Sequence, residues 1–191
     1  MECGLKSIIT VNTAWATLTT GAYSDFGNNP ANSIINGRLY NWYSVDNNAN
    51  TKVASNGGRN VCPTGWHVPK DAEWTTLTDY LTNNGYGYEG SGSDIAKSLA
   101  ATSGWITDGT PGNTGNDQAS NNRSGFTALP GGARDPNGGF GSVTGECVWW
   151  SSTGYSTNSA YYLYILYYQS NVIRTTPVPR RNGFSVRFLK D

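Results

Sequence analysis

The sequence predicts an α+β domain: two short helices packed on antiparallel strands, with long loops between them. Three observations carry that expectation. Trp74, Leu77 and Leu81 recur at helical spacing, and the segments "SGFTALPGGAR", "CVWWSST" and "GFSVRFL" after Arg123 read as strands. The 24 glycines and a charged fraction of only 14% describe turns at close intervals rather than a helical bundle. At 191 residues the chain can bury one core and is short for two, so residues 1–191 are read as a single domain. Seven tryptophans and twelve tyrosines supply large apolar groups, which argues against disorder.

Taken in order, Ile8 to Tyr23 reads as short strand pieces, with residues 1–20 as an N-terminal strand segment. Gly21 to Asn36, rich in Asn, Gly and Pro, reads as a surface loop. "GRLYNWYSV", Gly37 to Val45, is a buried strand or a short helix. "VCPTGWHVP", Val61 to Pro69, leads into the helix marked by Trp74, where Asp71 and Glu73 place negative charge in the first turn. That helix ends near Asn83, Asn84 and Gly85. A second helix, Ser93 to Ala101, takes Ser93 or Asp94 as its cap and sets Ile95 and Leu99 on one face. A polar loop runs from Thr107 to Arg123. "SGFTALPGGAR", "CVWWSST" and "GFSVRFL" complete the strands.

Charge narrows the function. With 13 basic and 13 acidic residues the net charge is zero, so a phosphate backbone has no clustered cations to meet and nucleic acid is not an expected partner. No apolar run approaches a membrane span, and Met1–Ser7 has no basic region followed by an apolar stretch, so neither span, signal peptide nor anchor is read here. Three cysteines, Cys3, Cys62 and Cys147, are an odd number.

"GRLYNWYSV", "CPTGWHVPKDAEWTTL", "SGFTALPGGAR", "WWSST" and "GFSVR" stand in the order found in the Fibrobacter succinogenes major paralogous domain, which the chain resembles from about Gly21 to its end. The resemblance implies a C-type-lectin-like fold, related in architecture to formylglycine-generating enzymes, in extracellular proteins on the surface of Bacteroidetes-type cells or of phage virions. Trp42, Trp66, Trp74, Trp105, Trp149 and Trp150 then read as core, with indole N–H groups bonded to loop carbonyls. Gly125 and Gly183 precede aromatics where unusual backbone angles are expected. Arg187 alternates outward or pairs inside. Departures are visible too: Phe188 stands where members often carry a cysteine, and Lys70 replaces the capping hydroxyl, leaving Asp71 to help. The calcium and sugar triplets of calcium-dependent lectins are absent.

Five tyrosines fall between Tyr161 and Tyr168. Strand alternation puts Tyr161, Leu163, Ile165 and Tyr167 on one face and Tyr162, Tyr164, Leu166 and Tyr168 on the other. The family pattern makes Tyr161 and Ile165 core, leaving Tyr162, Tyr164 and Tyr168 outward, as rigid amphipathic rings suited to recognition. Relatives include variable proteins of diversity-generating retroelements, whose randomised adenines turn AAC codons into a set that excludes Lys, Glu, Gln, Met and Trp. Within residues 145–181, Tyr155, Ser156, Tyr162, Tyr164, Tyr167, Tyr168, Ser170, Ile173, Thr175, Thr176, Pro177, Val178 and Pro179 all fit that set, whereas Gln169 must be fixed. Leaving out the two prolines, these are the expected ligand-binding residues, and the ligand is a protein or a glycan.

Catalytic chemistry is not expected. His67, the only histidine, reads as a buried structural residue, and Cys147 has no neighbouring cysteine or Cys–His metal spacing. No cofactor is expected, although Asp108, Asp117, Asn113, Asn116 and Asn121 offer oxygens that suit a structural calcium. The competing readings are a formylglycine-generating-like enzyme and a structural or assembly domain that buries its tyrosines against another subunit.

Overall fold

The computed structural model describes residues 8–45, 61–63, 65–90 and 92–191. Among them the elements run α1 (Asn12–Ala16), β1 (Tyr23–Ser24), α2 (Pro30–Asn36), β2 (Leu39–Tyr40), β3 (Trp66–His67) and α3 (Asp71–Asn83). They continue with α4 (Ala96–Leu99), β4 (Ala133–Arg134), β5 (Phe140–Gly141), β6 (Glu146–Gly154), β7 (Ser159–Leu166), β8 (Ile173–Arg174), β9 (Val178–Pro179) and β10 (Leu189–Lys190). The architecture is α+β. The hairpin β6–β7 is its centre, with β8 and β9 both paired to the free edge of β7, and β1–β2, β3–β10 and β4–β5 form two-stranded sheets. Every one of these strand pairings is antiparallel.

The register of the central hairpin sets Val148 opposite Tyr164, Trp149 opposite Leu163 and Trp150 opposite Tyr162. Opposed residues share a face, so two cores arise. On one side Val148, Trp150 and Ala160 pack with Trp42, Val45, Val61, Val68 and Phe184. On the other, Cys147, Trp149, Leu163 and Ile165 pack with Trp74 of α3, Ala96 of α4 and Trp105. Both faces of the hairpin are therefore covered, whereas an antiparallel sheet commonly leaves one face to water.

Helix α3 follows its sequence period, burying Trp74 and Leu81. Its start corrects the expected cap. The hydroxyl missing at Lys70 comes from Thr153 on β6, whose Oγ1 accepts the Asp71 N–H at 2.9 Å, and the Glu73 carboxylate accepts the Lys70 N–H at 2.7 Å. Asp71 instead forms an ion pair with Arg174 on β8. Helix α4 is shorter than expected, and neither Ser93 nor Asp94 caps it, since Ile95 is the boundary residue. It ends because Ala128 donates to the Leu99 carbonyl and Ala101 donates to that of Ala128, both at 2.8 Å, drawing the chain into a strand-like bridge.

Two expectations near the N-terminus are also corrected. The stretch expected as strands contains α1, a single turn that buries Trp15 completely. Tertiary burial of one indole outweighs local preference there. The expected loop from Gly21 to Asn36 holds β1 and α2. Asn29 caps α2 by accepting the Ala31 N–H, Pro30 occupies its first turn, and Gly37 closes it at φ 78°.

Arg134 is the polar centre of this end. It is fully buried, its guanidinium lies 4.3 Å from the Trp15 ring centroid and 4.6 Å from that of Phe140, and it donates to the carbonyls of Ile9 and Gly138 and to Asn12 Oδ1. Burial lowers its pKa to about 10, against the pull of Asp135. Gly183, expected to need an unusual angle, is required for closeness instead: a Cβ there would lie 2.9 Å from Arg134 Cβ and 3.0 Å from the Trp15 ring. Gly125 does adopt a positive φ, 74°.

Candidate functional site

The tyrosine segment is held by the hairpin. Along the Trp150 side of the sheet an aromatic column runs from core to surface. Trp150 and Phe184 have ring centroids 4.4 Å apart, Phe184 and Tyr162 5.4 Å, and Tyr162 and Tyr164 5.6 Å at an interplanar angle of 9°. Residues two apart on a strand share a face, which is why the last two rings stack. Tyr162 and Tyr164, expected to point outward, are thus half-buried against the Trp150 core, because that face of the hairpin is covered. Tyr161, expected as core, is also half-buried and packs edge-on against Tyr155 at 5.6 Å. The register slips between Trp150 and Gly154, so Tyr161 has no residue opposite it on β6 to draw it inward.

The other expected residues fall into three places. Tyr155 and Ser156 lie in the β6–β7 turn, where Tyr155 is 63% exposed and Ser156 Oγ accepts the N–H groups of Asn158 and Ser159. Tyr167 and Tyr168 follow β7 with ring centroids 5.0 Å apart; Tyr167 packs toward Trp149 and its neighbours, while Tyr168 is 48% exposed. Ile173 sits opposite Tyr164 and Val178 opposite Ala160, both half-buried, and Thr175 and Thr176 are exposed between β8 and β9. Ser170 stands apart, its carbonyl accepting the Ala96 N–H of α4.

One residue of this face escaped the sequence reading. Glu146 begins β6 opposite Leu166, on the same face as Val148 and Tyr164. Burial pushes its pKa up, opposed by a hydrogen bond with Ser142, and none of the ion pairs among the described residues includes it. Tyr162 and Tyr164 also have raised pKa values, chiefly through burial; their next causes are Tyr164 and Tyr168 respectively, and then the charge of Glu146. Counting in twos back from Val148 would have placed Glu146 here.

The remaining candidates are engaged elsewhere. His67 is a bridge at the rim rather than a buried residue: Nδ1 lies 2.6 Å from Asp191 Oδ1 and Nε2 2.9 Å from Glu73 Oε1. Those two hydrogen bonds, Asp191 first, raise its pKa. Cys147 is buried among the Trp149 cluster and burial pushes its thiol well up, while Cys62 packs against the Trp150 cluster on the other face. In the polar loop, Asn116 and Asp117 carbonyls and Asn121 Oδ1 accept from the Lys97 ammonium, and Asp108 accepts from the Thr110 N–H and the Asn113 amide. Arg187 turns its guanidinium over Phe126, 4.4 Å from the ring centroid.

Trp42 and Trp150 meet carbonyls as expected, donating to Ser151 and Tyr40, and Trp15, outside that expectation, donates to Arg181. Trp66 is not core but 42% exposed on β3, and the Trp74 and Trp105 indole nitrogens are buried without a hydrogen-bond partner. Among the described residues no cluster of three or more His, Cys, Asp or Glu could hold a metal ion, and no helix is long and apolar enough to cross a membrane.

No curated protein and no solved structure matches the sequence. The Fibrobacter succinogenes major domain matches residues 2–190, all but the first and last residue, and the chain belongs to that family.

Proposed function

We propose that the protein is a non-catalytic recognition module whose ligand-binding surface is the tyrosine-bearing stretch from about 145 to 181. The observation that carries this is the grouping of Tyr155, Tyr161, Tyr162, Tyr164, Tyr167 and Tyr168 along one rigid hairpin whose anchors, Trp149, Trp150, Leu163 and Ile165, are buried. Rings fixed by a packed strand lose little freedom on binding, so their contact area converts efficiently into affinity. The scaffold is read as C-type-lectin-like and the protein as extracellular, on a cell or virion surface, as the family resemblance implies. Its ligand is a protein or glycan and no cofactor takes part.

The finer reading is that this stretch is the variable region of a diversity-generating retroelement. Exposed Tyr155, Ser156, Tyr168, Thr175 and Thr176 all belong to the set that adenine randomisation of AAC codons can produce. The genomic test is a neighbouring reverse transcriptase and a near-copy of the segment differing at adenines; a locus with neither sinks that reading.

The biochemical test uses the two most exposed rings of this stretch, Tyr155 and Tyr168. Tyr155→Ser/Tyr168→Ser should stay folded and monomeric by light scattering and lose ligands found in a protein and glycan screen of the wild type. A change of oligomeric state would favour the assembly reading, and unchanged binding would remove the surface from consideration.

A further inference from the structure

The aromatic column ends in an unfinished electrostatic arrangement. Tyr162 has ring contacts with both Phe184 and Tyr164, whereas among the described residues Tyr164 has none besides Tyr162. Glu146, half-buried and outside every ion pair of the described residues, and Tyr168, exposed at the surface, both lie close enough to Tyr164 to add to burial in raising its pKa. A carboxylate withdrawn from water without a cation is held at a cost that a cation would relieve. Among the described residues no ion pair supplies that cation, and the six guanidinium-over-ring contacts involve aromatics other than Tyr164. The nearby Arg187 is committed to Phe126 in the cluster on the opposite face.

We propose that this end of the column receives a cationic side chain of a protein partner, with the outer face of Tyr164 as the stacking surface and Glu146 as the counter-charge. The inference rests on the recognition reading above and narrows it to a basic partner. Arginine suits the place better than lysine, because a planar guanidinium can lie against a ring and still present two N–H groups to a carboxylate. Tyr168 closes the rim and limits water on the ion pair.

The test titrates acetyl-Gly-Arg-Gly-amide, and its lysine, glutamine and glutamate counterparts, into the protein while the ring signals of Tyr162, Tyr164 and Tyr168 are followed by NMR. The arginine peptide should give saturable shifts at Tyr164 and bind about tenfold more tightly than the glutamine peptide. Glu146→Gln should abolish that preference. In the wild type, acidification through the raised Glu146 pKa should weaken arginine binding, which gives a readout that does not depend on the variant folding. Absence of saturable shifts with both cationic peptides, or equal affinity for arginine and glutamine, overturns the proposal. Peptide-display selections on wild type and the surface variant Tyr155→Ser/Tyr168→Ser separate the two readings. Selected sequences that need these tyrosines without excess Arg or Lys overturn the cation and leave recognition standing; no tyrosine-dependent sequence overturns both.

Discussion

At Gly183 the space is set by two side chains from distant parts of the chain, Trp15 and Arg134. Gly183→Ala should destabilise by roughly 1–3 kcal/mol through overpacking, read as a lowered midpoint in urea, and the loss should shrink when Trp15→Phe frees the same volume. His67 gives a pH-dependent counterpart. Its pKa is raised in the folded chain, by Asp191 first and then Glu73. The stability it contributes is therefore fully present below the unfolded value of about 6.5 and is lost as pH rises through the folded value. Wild type should accordingly exceed His67→Gln in melting temperature at pH 6 and lose that advantage by pH 9; a constant difference would mean that the imidazole acts by shape alone. That His67 would be hydrogen-bonded is expected from the sequence, but its place at the rim and its two carboxylate partners are not legible there, since one is 124 residues away.

Among the elements, α3 was the most legible, because Trp74, Leu77 and Leu81 repeat at its period and Gly85 follows its end at φ 76°. Its capping hydroxyl was not, because Thr153 arrives from another strand. The opposite case is α2, where Asn29, Pro30 and Gly37 are local start and stop signals readable in the sequence, within and just after a stretch whose composition suggests a loop. The polar loop after Trp105 is organised by a side chain from α4. Burial lowers the pKa of Lys97, Asp117 opposes that, and three oxygens bind its ammonium. Lys97→Met should leave those acceptors unsatisfied and cost on the order of 1–3 kcal/mol each where water cannot replace it. EDTA should leave the wild-type melting temperature unchanged, whereas a drop restored by calcium would show that an ion also organises the loop.

For the molecule as a whole, the α+β plan followed from the order of helical and strand-like segments, whereas the pairing of β6 with β7 as a central hairpin and the burial of both its faces did not. Alternation divides β7 correctly into Leu163 and Ile165 against Tyr162 and Tyr164. What covers the second set, Phe184 and Trp42 among them, comes from remote segments that no local pattern announces. Because the two cores meet across this hairpin, its backbone amides from Val148 to Trp150 and from Tyr162 to Ile165 should exchange with deuterium only on global unfolding. Exchange there at the rate of the 175–177 loop would show that the cores are separable.

The half-burial of Tyr162 and Tyr164 also governs how freely sequence can drift on this scaffold. Exchanges at Tyr155, Tyr168, Thr175 and Thr176 alter what the outside world meets and leave the interior untouched. Any exchange at Tyr162 removes a ring that Phe184 leans on, so novelty there comes with a toll on folding. A population of variants filtered for survival would therefore grow diverse around the hairpin tip and the Thr175–Thr176 rim while staying aromatic along the column.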